Sequence, residues 1–451
     1  MQPLIPKSAV PGVRWPAIPP KVGAAMLAMQ YQLARSQWWS AAEIQRQQLR
    51  QLSALLVHAS DTVPYYRQQL ADAGYSARET LTAERFFELP LLHRRDLQQA
   101  YEALQSTRIP PDHGKRLDGY TSGSTGTPLR FCGTEVTHFF WGALTLRDHL
   151  WHERKLEKKS AVIRASVDDG ATSGWGASSE VAYPTGPGAA LNIRADIDVQ
   201  LRWLQHEQPG YLLTHPSNLR ALAQRSLEQG IRLPGLLEVR TFGEVVDADL
   251  RGLSRDAWGV PLIDVYSAEE VGYIALQCPE HEHYHVQSEN LLVEIVDERG
   301  RSCPPGSIGR VVVTTMHNFA MPLVRYELGD YAEVGDPCAC GRGLPVLKRI
   351  MGRQRNMVRL PDGTRHWPFF SLAQWGFQLP VRQLQMQQRA LDHIEVRLVC
   401  ERALEDSEVR LLTDAVRGGL GYPFKITVTR VDAIARGANF KYEDFVCHVP
   451  D

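Results

Sequence analysis

The feature that most constrains this chain is an alternation of strand-like and helix-like segments between about Gly119 and Thr315. The segments "SAVIRAS", "GLLEVRTFGEVV" and "VPLIDVYSAEE" are rich in β-branched residues, whereas the apolar residues of "DLRGLSRDAWG" recur at helical spacing. Repeated βα units of this kind predict an α/β structure. Two later segments, "NLLVEIVDERG" and "GSIGRVVVTTM", are separated by turn residues, which indicates an antiparallel sheet or a small barrel.

A second organisational break lies at a basic, turn-rich stretch around Gly352. Beyond it, "HIEVRLVC", "DSEVRLLTDAVRGGLG" and "FKITVTRVD" have the patterns of a strand, a helix and a strand. We therefore predict an α/β fold with two domains. A large multi-subdomain N-terminal body of stacked β-sheets and helices spans residues 1–355, and a small α+β C-terminal domain spans residues 356–451.

Composition excludes several classes of function. The chain has 451 residues, and its 50 basic and 51 acidic residues leave a formal net charge of −1, so no overall field attracts nucleic acid or an anionic membrane. We found no apolar stretch of membrane-spanning length and no signal-peptide pattern, and we expect a soluble cytoplasmic protein. Seven cysteines without such a signal favour free thiols or metal ligands over a disulfide framework.

Residues 120–131, "YTSGSTGTPLRF", combine hydroxyl side chains with glycines. Glycine lets the backbone approach a ligand closely, and Ser and Thr supply short donors, so the composition suits phosphate oxygens. A flexible linker has the same composition. The spacing fits neither the GxxxxGK[ST] phosphate loop nor the GxSxG hydrolase turn, which leaves a third kind of hydroxyl-rich loop.

The segment "TSGSTGTP" resembles the phosphate-binding loop of the adenylate-forming superfamily, which includes acyl-CoA synthetases and luciferases. Segments similar to further motifs of that superfamily follow in the expected order: "TFGEVV", "DVYSAEE", "VRYELGD" and "GRQRN". Agreement across separate sites is more specific than any single match. The spacing of "MPLVRYELGD" and "CACGRGLP" is most similar to the phenylacetate–coenzyme A ligase branch, and the resemblance spans nearly the whole chain.

The resemblance implies ATP-dependent formation of an acyl-AMP from a carboxylic acid, followed by transfer to a thiol. On this basis Glu270 holds Mg²⁺, a cation that prefers carboxylate oxygen, and Lys441 bridges the acid and the α-phosphate. Residues 1–355 hold the nucleotide and the acid, and residues 356–451 form a mobile lid. The implied nucleotide contacts are Ser122, Ser124 and Thr125 at the phosphates, Gly243, Glu244 and Tyr266 at the adenine, and Asp330 and Arg353 at the ribose.

The substrates follow less directly from the sequence. The branch favours aryl or arylacetic acids, and Trp175, Tyr183 and His215 are candidate walls of an aromatic pocket, although such residues are equally common in protein cores. The thiol acceptor is either coenzyme A or the phosphopantetheine of an acyl carrier protein. The hinge and lid depart from the family pattern at Arg355, Asn356 and Phe440. The protein could therefore instead be a catalytically impaired relative that binds nucleotide, and this alternative stays open.

Residues 278–286, "CPEHEHYHV", contain a literal HExxH from His281 to His285, which in a helix would indicate a zinc hydrolase. Pro279 and the β-branched residues that follow indicate a loop and a strand instead. The alternative is a structural zinc site formed by Cys278, Cys338, Cys340 and one His, as in some relatives of the branch. His285 is favoured as the fourth ligand, with His281 and His283 left open. Free thiols without metal are the remaining interpretation.

Overall fold

The computed structural model describes residues 4–121, 128–165, 167–172, 174–368, 379–436 and 441–449. The helices of these residues are α1 (Lys21–Ser36), α2 (Ala41–Thr62), α3 (Pro64–Asp72), α4 (Ala83–Phe87), α5 (Arg94–Gln99), α6 (Glu135–Trp151), α7 (Ala177–Glu180), α8 (Ile197–Glu207), α9 (Pro216–Gln229), α10 (Ala248–Trp258) and α11 (Asp406–Leu420). Short 3-10 turns occur at Pro111–His113 and Gln354–Asn356.

The strands of the large domain are β1 (Arg116–Tyr120), β2 (Arg130–Thr134), β3 (Ser160–Arg164), β4 (Gly170–Thr172), β5 (Gly188–Asn192), β6 (Tyr211–Thr214), β7 (Glu238–Phe242), β8 (Leu262–Ala268), β9 (Gly272–Gln277), β10 (Tyr284–Val286), β11 (Leu291–Val296), β12 (Ile308–Thr315), β13 (Tyr326–Val334) and β14 (Val346–Arg353). The later strands are β15 (Val358–Arg359), β16 (Arg365–His366), β17 (Val381–Ala390), β18 (His393–Cys400), β19 (Lys425–Arg430) and β20 (Phe445–Cys447).

A single mixed sheet of twelve strands forms the centre of the large domain, in the order β11-β12-β13-β14-β10-β9-β8-β7-β6-β3-β5-β4. The neighbours from β5 to β8 pair in parallel, which confirms the predicted βα units. From β8 to β11 the pairs are antiparallel. We expected an antiparallel sheet or a small barrel here, within a body of stacked sheets, and the antiparallel pairing is confirmed. The described strands instead join one hydrogen-bonded sheet, because β10 pairs with both β9 and β14 and connects its two halves.

Local sequence signals explain where the helices of the parallel half begin and end. Asp247 caps α10 by accepting a hydrogen bond from the backbone N–H of Leu250 at 2.9 Å, and Gly259 ends the helix with φ +73°. Pro216 is the first residue of α9, where its missing N–H costs nothing. The carboxyl ends of β6, β7 and β8 meet at one sheet edge, so the residues that follow these strands are brought together there.

The small C-terminal sheet has the order β19-β18-β17-β20 and is mixed, with an antiparallel β17–β18 pair and parallel outer pairs. Helix α11 packs its apolar face on this sheet through Leu412, Val416 and Leu420. The domain boundary that we predict after residue 355 lies within the 3-10 turn Gln354–Asn356 and stays a prediction. No helix of the described residues is both long and apolar enough to span a membrane.

Candidate active site

A cavity of 1680 Å³ opens at the carboxyl edge of the parallel strands and extends beneath the small domain. Its walls include residues of both domains. Among the residues that the sequence singled out, Trp175, His215, Gly243, Glu244, Tyr266, Glu270, Asp330, Arg353 and Lys441 all line it.

Asp330 and Arg353 face each other across the β13–β14 pair, where they are register partners. The Arg353 Nε lies 3.2 Å from Asp330 Oδ1, and the Tyr266 hydroxyl donates a hydrogen bond to Asp330 Oδ2 at 2.9 Å. Burial and the neighbouring Asp330 raise the pKa of Tyr266 well above its usual value, so the phenol stays protonated. The Asp330 carboxylate is therefore held in one orientation by two donors.

Glu270 follows β8 and is only 8% exposed. The Tyr326 hydroxyl donates to Glu270 Oε1 at 3.4 Å. Burial raises the pKa of Glu270, whereas the nearby Arg353 and Arg94 lower it. A buried carboxylate that lines the cavity fits the oxygen ligand that Mg²⁺ prefers.

Lys441 lies against the backbone of Gly243, directly after β7. A Cβ at Gly243 would lie 3.2 Å from Lys441 Cε and 3.4 Å from Nζ, and Gly243 has φ +78°. The dihedral angle therefore favours glycine, and a Cβ at this position would crowd the end of the lysine side chain. His215 lies on the other side, where its Cε1 would be 3.6 Å from the same Cβ. Burial, against the influence of Glu244, lowers the pKa of His215.

The Glu244 carboxylate links the two domains. It accepts hydrogen bonds from the Ser217 backbone N–H at 2.8 Å, from the Ser217 hydroxyl at 3.1 Å and from the Tyr442 backbone N–H at 2.7 Å. Arg436 of the small domain also donates to the Ser217 hydroxyl at 2.8 Å. The sequence did not indicate this link, because its partners are separated by about two hundred residues of chain.

The predicted phosphate-loop residues Ser122, Ser124 and Thr125 lie outside the described residues. The described flanks of the loop are paired: the Thr121 backbone N–H donates to the Leu129 carbonyl at 2.8 Å, and the Leu129 N–H donates to the Thr121 hydroxyl at 3.0 Å. Thr121, the residue before the undescribed segment, also lines the cavity.

The predicted acid-pocket walls are only partly brought together. Trp175 and His215 line the cavity, but Tyr183 packs instead on a core cluster that includes Met26, because it follows the short helix α7 on the side facing α1 and α6. This corrects the assignment of Tyr183. Sequence analysis missed three further cavity residues, whose signal was a four-residue spacing along α6: Trp141, Thr145 and His149.

A cluster of Cys and His side chains connects the loop after β9 with the loop after β13. Cys278, His283, His285 and Cys338 place one potential ligand atom each within 4.8 Å of one another. His283 Nε2 lies 3.0 Å from Cys338 Sγ, and Cys340 Sγ lies 3.4 Å from His285 Nε2. The predicted ligands Cys278, His285, Cys338 and Cys340 therefore meet, and His283 joins them. Two thiols and two imidazoles are a donor set that fits zinc.

The HExxH pattern has no helical context. Residues 284–286 form β10, and His285 pairs in register with residues of β9 and β14. Glu282 is exposed, and Arg255 donates to its carboxylate at 2.9 Å. The hydrolase interpretation is therefore wrong, since its chemistry needs both His residues on one helix face with Glu at the metal.

Comparisons with known proteins agree with this geometry. No family model matches the chain. A phenylacetate-coenzyme A ligase from Pseudomonas putida is 26% identical over 429 residues, which cover 90% of this chain and 94% of that protein. O-succinylbenzoate coenzyme A synthetase from Bacillus subtilis, solved in complex with ATP and magnesium ion, aligns with a TM-score of 0.50 at 17% identity over 72% of this chain and 68% of that one.

The structure of a 2-hydroxyisobutyryl-CoA ligase in the postadenylation state aligns with a TM-score of 0.74 at 19% identity, covering 92% of this chain and 91% of that one. The same ligase in the thioesterification state gives a TM-score of 0.61 at the same identity and coverage. By TM-score, the fold of the whole chain is therefore more similar to the postadenylation structure than to the thioesterification structure. From the sequence match over most of its length and this shared fold, the chain belongs to the adenylate-forming superfamily of AMP-producing acid–thiol ligases, as a distant homologue of the phenylacetate–coenzyme A ligases.

Proposed function

We propose that this protein activates a carboxylic acid with ATP and transfers the acyl group to a thiol. In the first step a carboxylate oxygen bonds to the α-phosphorus of ATP, and the bond from that phosphorus to pyrophosphate breaks. In the second step the thiol sulfur bonds to the acyl carbon, the bond from that carbon to AMP breaks, and the thiol proton is released. The products are a thioester, AMP and pyrophosphate.

The observation that supports this function is the convergence of distant residues on one cavity. Lys441 enters it from the small domain, Glu270 from the end of β8, and Asp330 with Arg353 from the β13–β14 pair. A cation, a buried carboxylate and an oriented carboxylate are the groups that an adenylation site needs. These groups are far apart in the sequence, and they meet only in the folded chain.

Each residue has a separate task in this proposal. Lys441 donates from Nζ to the carboxylate oxygen that attacks and to the α-phosphate, which offsets the negative charge that accumulates there. Asp330, oriented by Tyr266 and Arg353, accepts hydrogen bonds from the ribose hydroxyls. Ser122, Ser124 and Thr125 donate to the departing phosphates. Gly243 leaves room for the lysine side chain beside the reacting groups.

Glu270 is the proposed ligand of Mg²⁺, and the ion when bound offsets the phosphate charge. The burial of this carboxylate supports the assignment, because a desolvated carboxylate that is raised in pKa gains stability when a cation binds. The neighbouring Tyr326 hydroxyl helps to orient it.

The acid is proposed to be aromatic and the acceptor to be coenzyme A. The rings of Trp141, Trp175 and Tyr211 line the cavity, which supports a flat apolar substrate body. The matched Pseudomonas putida protein is a phenylacetate-coenzyme A ligase, which supports both assignments. The phosphopantetheine of an acyl carrier protein presents the same thiol and is the alternative acceptor.

A bound zinc ion is proposed for the cluster of Cys278, His283, His285 and Cys338, with Cys340 as the competing sulfur ligand. Support comes from the 4.8 Å grouping of the donor atoms and the burial of Cys278 and His285. His283 also lines the large cavity, but none of the four ligands has a task in the proposed chemistry. Because the cluster links two loops, we propose that its role is structural.

Acid-dependent exchange of pyrophosphate into ATP tests the function. We expect exchange to require Mg²⁺ and a carboxylic acid, and we expect Lys441→Ala to lower its rate about 100- to 1000-fold, the usual cost of removing one charge-stabilising donor. Lys425→Ala, an exposed lysine of the same domain, is the matched control and should leave the rate unchanged.

Two results would contradict the proposal. Nucleotide binding without exchange for any of a panel of aromatic and aliphatic acids would identify a catalytically impaired relative. Equal rates for Lys441→Ala and Lys425→Ala would remove Lys441 from the site. Repeating the assay with coenzyme A and with a pantetheinylated carrier protein distinguishes the acceptors.

A further inference from the structure

One face of α6 lines the deep part of the cavity. Trp141, Thr145 and His149 are four residues apart and therefore lie on one side of the helix. His149 is buried, and the ring of Trp175 packs edge-on against it at a centroid distance of 5.0 Å. Tyr211 packs on the same tryptophan at 5.0 Å. The His149 imidazole thus lies beside two aromatic side chains in the cavity wall.

The hydrogen bonds of His149 fix its tautomer. Its Nδ1 lies 3.2 Å from Nη1 of Arg154, and a guanidinium can only donate, so Nδ1 accepts. Burial and the nearby Arg240 and Arg154 lower the pKa of His149 well below its ordinary value, so the ring is neutral. Its single proton must therefore be on Nε2. No hydrogen bond joins Nε2 to the described residues, so this N–H is a donor without a described partner in a residue that lines the cavity.

The charges beneath His149 balance one another. Arg154 donates to Asp148 at 2.7 Å and to Glu238 at 2.6 Å, and Arg240 also pairs with Asp148. All four side chains are buried, so two cations and two anions compensate. Because these four charges are already paired with one another, the cluster offers no uncompensated charge to a charged ligand group, which would lose its hydration on entering. Arg240, which also lines the cavity, keeps a second buried donor, Nε, without a partner among the described residues.

We propose that His149 selects acids that have a neutral hydrogen-bond acceptor, such as a hydroxyl, ether or carbonyl oxygen, at the end remote from the carboxylate. This inference rests on the proposed function and names the substrate class of the same cavity. The aromatic walls bind the body of the acid, and the Nε2–H of His149 binds its polar end. An acid without the acceptor leaves that donor unsatisfied in a desolvated site. This cost is larger than the net gain from forming the hydrogen bond.

The test uses matched acids in the pyrophosphate-exchange assay with the full chain. Phenylacetate is compared with its 2-, 3- and 4-hydroxy derivatives, and hexanoate with 6-hydroxyhexanoate. We expect the best hydroxylated acid to exceed its parent acid about ten- to a hundredfold in kcat/KM. An acid with a second carboxylate, 4-carboxyphenylacetate, should be the poorest of the aromatic set, because its charge is not matched.

Variants of His149 then assign the preference to this residue. His149→Phe keeps a flat ring without the donor and should bring the ratio of the two kcat/KM values close to one, and His149→Gln, whose amide still donates, should retain part of it. The ratio is measured on one preparation, so partial unfolding does not change it. The inference is overturned if the parent shows no preference for the hydroxylated acids, or if His149→Phe keeps the same preference. In both cases the ligase activity stands. If no acid in the panel supports exchange, the proposed function itself fails, and this inference fails with it.

Discussion

At the scale of single residues, Asp264 on β8 is a buried acidic group whose pKa is raised. It accepts hydrogen bonds from the Thr241 hydroxyl at 2.7 Å and from the Tyr284 hydroxyl at 2.8 Å, and it is 4% exposed. Burial raises the pKa of Asp264 to about 6, from an ordinary value of 3.8. Two hydroxyl donors thus only partly offset the loss of water around the carboxylate.

This shift predicts a pH-dependent stability. The folded protein binds the Asp264 proton more tightly than the unfolded chain does, so this stabilisation is complete below pH 3.8 and is lost as the pH rises through about 6. We expect the free energy of unfolding of the parent, minus that of Asp264→Asn, to fall by up to about 3 kcal/mol between pH 4 and pH 7. Urea unfolding of both proteins at each pH measures the difference. A difference that stays flat or rises contradicts the assignment.

Residue-scale chemistry was only partly predictable from the sequence. Tyr266, Asp330 and Arg353 were found through motif resemblance, and the structure brings them into direct contact. The adenine contact of Glu244 stays a prediction, and the structure adds partners for its carboxylate that the sequence did not indicate, Ser217 and Tyr442. A motif identifies a position in the fold, whereas the partner of a charged side chain depends on which distant backbone lies beside it.

At the scale of elements, the Cys and His cluster lies where the loop after β9 approaches the loop after β13. Cys278 follows β9, and Cys338 lies in the connection between β13 and β14. The strand β10 between them has only three residues, and it pairs with both neighbours. A metal ion at this point would stabilise the junction at which β10 joins β9 to β14.

We predict about one zinc ion per chain at this cluster. Cys278→Ser and His283→Asn should each lose the metal, measured by elemental analysis of the purified protein, and should lower the melting temperature by several degrees. Cys303→Ser, which changes a cysteine outside the cluster, should do neither. If His283→Asn keeps its zinc and Cys340→Ser loses it, the ligand set is the one that the sequence favoured. A metal-free parent with an unchanged melting temperature after chelation would eliminate the zinc proposal.

At the scale of the whole molecule, the small domain closes over the cavity. Glu244 accepts from the Tyr442 backbone, Arg436 donates to Ser217, and Arg355 donates to Glu443 at 2.6 Å. These contacts place Lys441, the neighbour of Tyr442, against Gly243.

We predict that Glu244→Ala weakens closure more than nucleotide binding. It removes the acceptor that joins the lid backbone to the start of α9, so Lys441 is positioned for a smaller fraction of the time. The maximal rate of pyrophosphate exchange should fall about tenfold, whereas the dissociation constant for ATP should change by less than about threefold. Glu207→Ala, which breaks a surface ion pair with Lys159, is the control and should change neither. An unchanged exchange rate in Glu244→Ala would show that the lid closes without this contact.

The sequence by itself determined the local elements and their order. The alternation of strands and helices fixed the parallel half of the sheet, because periodicity reports which face of each element is buried. The hydroxyl-rich loop, "DVYSAEE" and "VRYELGD" indicated the superfamily, since each motif is short and local. The cluster of Cys278, Cys338 and Cys340 was also readable, because two of its cysteines are separated by one residue.

Only the tertiary structure decided which of these pieces meet. In the structure the antiparallel strands belong to the central sheet and not to a barrel. Tyr183 packs on a core cluster, and the HExxH segment ends in a strand. The tertiary structure also brought His149 to the cavity and left its Nε2 without a described partner, above a charge-balanced cluster that spans about ninety residues of sequence. The physical reason is that burial and partner choice depend on long-range packing, and both the tautomer of a histidine and the pKa of a carboxylate follow from the partners that packing provides.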